Sequence, residues 1–468
     1  MRERRRPRGI PPVIKGIGSL ILIAALLYLG SFAIRFCLGL FMPGDKYIMS
    51  LPGETRPAAT EPAAPDVETQ PTEDDGVYET GRASILVTGD LMMHLPTVRS
   101  GYRGGEYNFD YIFNYIEDYV KAADYAVVNL ETTLSGTDRK DYTGYPKFNS
   151  PDAVATGAKS GGFDLMLTGN NHCYDYGTQG LLRTQEVVRA AGLDTLGTYM
   201  DAGEQQYLVK DIGGVKIGML SYTYGKIGDD PSRPAINGLS TDSAAADLIN
   251  AFDYNKLDLF YSEVEEKISA MKAAGADTIV MFLHWGDEYK TKVNDTQRTM
   301  AQKLCDLGVD VIAGSHPHVL QTMDLLTSTQ DETHQTVVLY SMGNFLSNQR
   351  ADNISLTTGE SEDSVLFTFT VVKYSDGTVA LDGINIQPTW VLIRGSGNDR
   401  TYHILPLDYS VEDWEDTFQL TATQTSNAKK SYNRTMDILG KDYNRIKDIL
   451  DEQRAVRQEL LFPGPGVG

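Results

Sequence analysis

Six short apolar runs, each broken abruptly by polar residues, constrain the fold of this chain more than any other feature. Residues 85–88 run into Gly89-Asp90, 126–128 into Asn129-Leu130-Glu131, and 165–168 into Gly169-Asn170-Asn171-His172. Residues 279–283 run into His284-Trp285-Gly286, 309–313 into Gly314-Ser315-His316-Pro317-His318, and 337–340 into Ser341-Met342-Gly343-Asn344-Phe345. Apolar runs of this length bounded by Gly read as buried strands. Between them, 178–191 closed by Gly192 and 261–274 closed by Gly275 read as helices, each with Gly just past its last turn. Alternation of the two predicts an α/β fold with polar groups gathered at the carboxyl ends of strands, where open α/β sheets bind ligands. Residues 215–221, entered through Gly213-Gly214, and 363–374 read as hairpin strands, so the sheets are expected to be mixed.

The histidines carry the chemistry. Five of seven (His94, His172, His284, His316, His318) follow these apolar runs, in company with Asp90, Glu131, Asn171 and Asp175. One histidine after a strand is more often a hydrogen-bonded structural residue; five together with carboxylates and an amide suit two divalent cations sharing oxygen ligands. His316-Pro317-His318 sets two imidazoles on one tight turn. Such a centre makes a water ionisable near neutral pH. Closed structural zinc sites favour Cys, and Cys37, Cys173 and Cys305 have neither zinc-finger spacing nor the numbers for a disulfide framework.

The N-terminus sets the expected topology. Residues 1–42 carry seven Lys/Arg against Glu3, and no charge lies between Lys15 and Arg35. That is a basic cytoplasmic tail (1–15), then a single-pass membrane anchor (16–42) with the bulk of the chain outside the cell. No small-residue cleavage site follows, which favours an uncleaved anchor over a signal peptide. Residues 43–82, rich in Pro, Thr and acids, form an acidic linker expected to be disordered. Residues 83–410 are the main domain. Residues 411–468 are a helical extension, with a loose helical period through Met436, Leu439, Ile446 and Leu450. Net charge is −21, of which the first 42 residues contribute +6, leaving −27 on the remainder. That balance excludes nucleic acid as a partner, since a phosphate backbone needs a basic footprint.

In this order, the Gly89-Asp90, Asn129-Leu130-Glu131, Asn170-Asn171-His172, His284-Trp285-Gly286, Gly314-Ser315-His316-Pro317-His318 and Gly343-Asn344-Phe345 motifs resemble the CapA/PgsA capsule synthesis family. These are the poly-γ-glutamate capsule proteins, a branch of the calcineurin-like metallophosphoesterases. The resemblance covers about 83–347. It implies a four-layer α/β/β/α sandwich holding two divalent ions (Mn, Zn, Fe or Mg). It also implies residue roles: Asp90 a ligand, Glu131 the bridging carboxylate, one methylene longer than the superfamily's Asp, and Asn171 the amide ligand. His284 resembles the lone ligand histidine and His316 and His318 the final pair, with His172 the proton donor and Asp175 its orienting acid. The superfamily's first motif is Asp-X-His, whereas His94 stands four residues past Asp90. Three functions compete: a surface component of polyglutamate synthesis or export working with membrane synthase subunits, a metal-dependent hydrolase of phosphoester or other ester or amide bonds, and a noncatalytic metal-binding scaffold.

Overall fold

A computed structural model describes residues 76–138, 141–226, 234–354, 356–408 and 413–461. The expected basic tail and membrane anchor lie outside these residues, as does nearly all of the linker. No helix among the described residues is long and apolar enough to cross a membrane.

Two seven-stranded sheets make up a mixed α/β domain. In the first, β1 (Glu79–Leu91), β2 (Tyr125–Leu130), β3 (Leu165–Leu167) and β4 (Asp194–Leu196) run parallel in that order. In the second, β5 (Leu208–Ile212) forms the expected hairpin with β6 (Val215–Tyr224) across Gly213-Gly214. β6 is flanked by the short β7 (Ala251–Phe252) and by β8 (Thr278–His284), and β9 (Val311–Ser315) follows β8, all parallel. β10 (Leu320–Thr327) pairs antiparallel with β11 (Gln335–Met342), which lies parallel to β9. The first sheet is completed on the far side of β1 by the antiparallel β12 (Asp363–Tyr374), β13 (Val379–Arg394) and β14 (Thr401–Pro406).

Residues alternate along these strands between two apolar layers, as a period of two requires. Ile85 and Val87 of β1, Val127 of β2, and Val280 and Phe282 of β8 belong to one cluster that joins the two sheets. Leu86 and Val128 instead face a second cluster with Val98 of α1 (Leu95–Ser100), Val154 of α2 (Ala153–Ser160) and Val188 of α3 (Gly177–Ala190). Ile279 and Met281 pack on Val264 and Ile268 of α4 (Leu257–Ala273) and on Met300 and Leu304 of α5 (Asp295–Asp306). In the C-terminal extension a one-turn helix (Trp414–Thr417) precedes a single long helix, α6 (Ala422–Leu461), whose Leu439, Ile446 and Leu450 join the cluster between the sheets.

Candidate metal centre

The turns after the parallel strands bring donor groups to one place. β1 shifts register against β2 between Thr88 and Asp90. A Cβ at Gly89 would stand 2.0 Å from the Gly343 carbonyl, so only glycine allows this approach, and the Asp90 N–H donates to that carbonyl at 3.0 Å. Asp90 is thereby aimed inward. Its Oδ1 accepts from Asn129 Nδ2 at 2.8 Å, and its Oδ2 lies 3.0 Å from His318 Nδ1 and accepts from the His316 N–H at 3.3 Å.

Glu131 immediately follows β2, fully buried, and neither of its carboxylate oxygens has a hydrogen-bond partner. Oε1 stands 3.5 Å from His284 Nε2 and 3.7 Å from His318 Nε2. His284 closes β8; Ser315 Oγ holds its Nδ1 at 2.9 Å, and its Nε2 lies 3.0 Å from Asn171 Oδ1. The turn after β9 puts His316 at φ 95° and His318 at φ 58°, backbone that L residues adopt only under strain, of a kind concentrated at functional sites. His316 Nδ1 is also buried without a partner. The donors form two groups, Asp90/Glu131/His284 and Glu131/His316/His318, with the ligand atoms of each group within 4.8 Å of one another. Glu131 belongs to both.

Burial pushes the Glu131 carboxyl well above the usual carboxylate range, and Asp90 beside it reinforces the shift. Burial holds the His284 and His316 imidazoles well below their ordinary value, with neighbouring imidazoles adding to the effect. The His284 and His316 imidazoles are therefore neutral and supply no charge to the buried Glu131 carboxylate, which needs a cation or a proton. Neutral imidazole nitrogens, carboxylates and an amide oxygen are a donor set for divalent transition ions, and the unpartnered atoms of Glu131 and His316 fit that use.

His172, next in the chain to Asn171, bonds through Nδ1 to Asp175 Oδ2 at 2.8 Å. The same oxygen accepts from the Phe148 N–H at 2.7 Å, and the Phe148 ring meets His172 edge-on at 4.7 Å. Asp175 thus fixes the ring and leaves Nε2 as the nitrogen able to pass a proton. His94 belongs to neither donor group. It stands at the N-cap position of α1 without a side-chain capping bond, takes the Asn348 N–H on Nδ1 at 3.3 Å and packs against Phe148, ring centroids 5.3 Å apart. Burial lowers its imidazole to about 4. Cys173, adjacent to His172, packs with Leu181 and Ile236, and burial pushes its thiol up to about 12, which leaves it unreactive.

Sequence reasoning missed four supports. Asn129 binds Asp90 and accepts from Asn170 Nδ2 at 3.2 Å, and Ser315 orients His284. Asn129, Asn170 and Ser315 stand inside the motifs, so their polarity beside a ligand was the available signal. Tyr224, at the end of β6, sets its ring 4.7 Å from His316, and nothing in its neighbourhood marks it.

The family model of the bacterial capsule synthesis protein PGA_cap matches residues 84–349. The chain is 29% identical over 284 residues to the capsule biosynthesis protein CapA of Bacillus anthracis, covering 58% of this chain and 61% of that relative, under two thirds of its length. It is 27% identical over 316 residues to the PGA biosynthesis protein CapA of Bacillus subtilis, covering 66% and 73%. A Mycobacterium tuberculosis relative named "probable polyglutamine synthesis accessory protein" is 26% identical over 212 residues, covering 42% and 50%.

Proposed function

The chain belongs to the family of bacterial capsule synthesis proteins, whose match spans more than half of it, and from that premise we propose that it acts in capsular poly-γ-glutamate synthesis or export. It does so at the outer face of the cell membrane, tethered by residues 16–42 beside membrane synthase or export subunits. The observation that carries the reading is Glu131, shared by two donor groups with both oxygens unpartnered. The two sheets joined by one apolar cluster, with helices on their other faces, support a metallophosphoesterase-like four-layer sandwich around this centre.

Asp90, Glu131, Asn171, His284, His316 and His318 would hold two divalent ions. Such ions supply Lewis acidity that polarises a substrate oxygen. His172, oriented by Asp175, holds a proton at Nε2 for a leaving oxygen. That pair is the specific observation favouring a second reading, a surface hydrolase of phosphoester or other ester or amide bonds.

The test compares metal content, melting temperature and turnover of both a generic phosphoester and poly-γ-glutamate in the full chain and two variants. His316→Ala strips metal and lowers the melting temperature, since a bound ion stabilises the state that binds it. His172→Ala keeps metal and melting temperature, while turnover falls by roughly 10² to 10⁴. Equal metal loss in the two variants contradicts the assigned roles. Full function of a metal-loaded His172→Ala protein leaves a noncatalytic scaffold.

A further inference from the structure

Among the described residues, the arginines without an ion pair are Arg99, Arg103, Arg394 and Arg400, and three of these four line one cleft. That cleft, of about 640 Å³, is walled by Arg99, Arg103 and Arg400 with Tyr102 and Tyr107 and opens along α1. Tyr102 is half exposed and its ring meets Tyr107 at 4.9 Å. Arg103 donates through Nη2 to the Arg400 carbonyl at 3.4 Å, which holds the two guanidinium-bearing segments together. Glu106, the register partner of Arg103, and Asp399, next to Arg400, form no ion pair with them. Arg400 Nε is buried without a partner. Arg103 also donates through Nη1 to the Tyr102 carbonyl at 2.9 Å, and guanidinium groups without a carboxylate partner gathered in one place are unexpected where the residues past 42 carry a net −27.

A second cleft, of about 520 Å³, shares Pro96 with the first and continues past His94, Tyr145 and Lys147. His94 and His172 both pack against the Phe148 ring. We propose that the two clefts form one cationic, aromatic-lined groove that holds a carboxylate-bearing polymer and leads it along α1 toward the metal centre. The proposal rests on the polyglutamate reading above and names where that polymer binds. Arginine forks pair bidentately with carboxylates, tyrosine faces cover the apolar stem of each repeat, and the surrounding negative body repels the chain elsewhere. A local positive groove therefore determines where an acidic polymer docks.

The experiment measures binding of a fluorescent γ-linked glutamate decamer to the metal-loaded full chain, by anisotropy at low salt. The comparison is with the R99Q/R103Q/R400Q triple variant, and with R103Q alone should the triple variant melt early. The expected result is affinity lowered by about tenfold or more in the triple variant and by a smaller factor in R103Q. Metal content stays unchanged, and an uncharged γ-linked glutamine decamer does not bind. Unchanged decamer affinity in the variants overturns the groove while leaving the capsule reading intact. Tighter binding of inorganic polyphosphate than of the decamer overturns the carboxylate occupant. Absence of decamer binding by the parent protein overturns the groove, while the polyglutamate reading stands or falls separately on the metal content and turnover of the parent and the His172→Ala and His316→Ala variants.

Discussion

Each unpartnered oxygen of Glu131 represents a desolvation penalty of about 1–3 kcal/mol that no group of the protein offsets, a large fraction of the stability of one domain. A residue that destabilises the metal-free fold in this way is kept for what it binds. Asp90 differs, since Asn129, His316 and His318 all contact it. Away from the centre, His403 lies on β14. Its Nδ1 donates to the Tyr111 carbonyl at 3.1 Å, Thr401 Oγ1 lies 3.0 Å from Nε2, and the Tyr111 and Tyr115 rings flank it. Burial lowers its pKa and Arg394 lowers it further, against the raising effect of the Tyr111 carbonyl. Because the folded value lies below the unfolded value of about 6.5, the unfolded chain takes up a proton that the folded chain refuses. Stability contributed at this position is complete above pH 6.5 and is lost as pH falls from there to the folded value. Urea midpoints of the chelator-treated parent and His403→Gln should therefore diverge between pH 8 and 5.5, the parent losing more. Parallel curves would remove His403 from the acid response.

Two elements position the centre through contacts that a substitution can isolate. Gly89→Ala drives a methyl group into the Gly343 carbonyl, shifts Asp90, and should lower metal content and melting temperature together; a variant with parental values of both would show that the register there is not fixed by this approach. α6 is tied to the start of β12 by Arg434, whose Nε and Nη2 reach the two Asp363 oxygens at 2.7 Å each, with Ser431 Oγ donating to Oδ1 at 2.6 Å. Arg434→Ala leaves a buried carboxylate unpaired and should cost about 3–5 kcal/mol in denaturant unfolding, and Lys should restore little of it, lacking the fork. A loss under 1 kcal/mol would mean Asp363 finds another partner. The motif strands were legible because their apolar runs and glycine ends are local properties. The long C-terminal period was legible as helix, but not that it forms one helix through Gly440. Which strand joins which sheet was not legible. β12 pairs with β1 some 280 residues earlier in the chain, a choice made by complementary apolar faces across the core and by no local signal. His94 was grouped with the other histidines on spacing alone, and the α1 turn sets it against Phe148.

Across the whole domain, the donors come from both sheets: Asp90, Glu131 and Asn171 stand at or just past the ends of strands of the first, His284, His316 and His318 at or just past those of the second. Ions held there would join the sheets at one edge as the shared apolar cluster joins them in the middle. The proposed topology makes its own prediction: protease added to intact cells removes the acidic body and leaves a short stub, whereas protection until lysis would reverse the orientation. The central claim, that Glu131 is shared between two cations, is tested most directly by the metal stoichiometry of the purified full chain after loading with Mn²⁺ and dialysis. The account predicts two equivalents per chain, a melting temperature lowered by chelation, and loss of both ions in Glu131→Ala. A parent protein that retains no metal and melts at the same temperature with and without chelator would contradict it, as would a Glu131→Ala variant that still holds two.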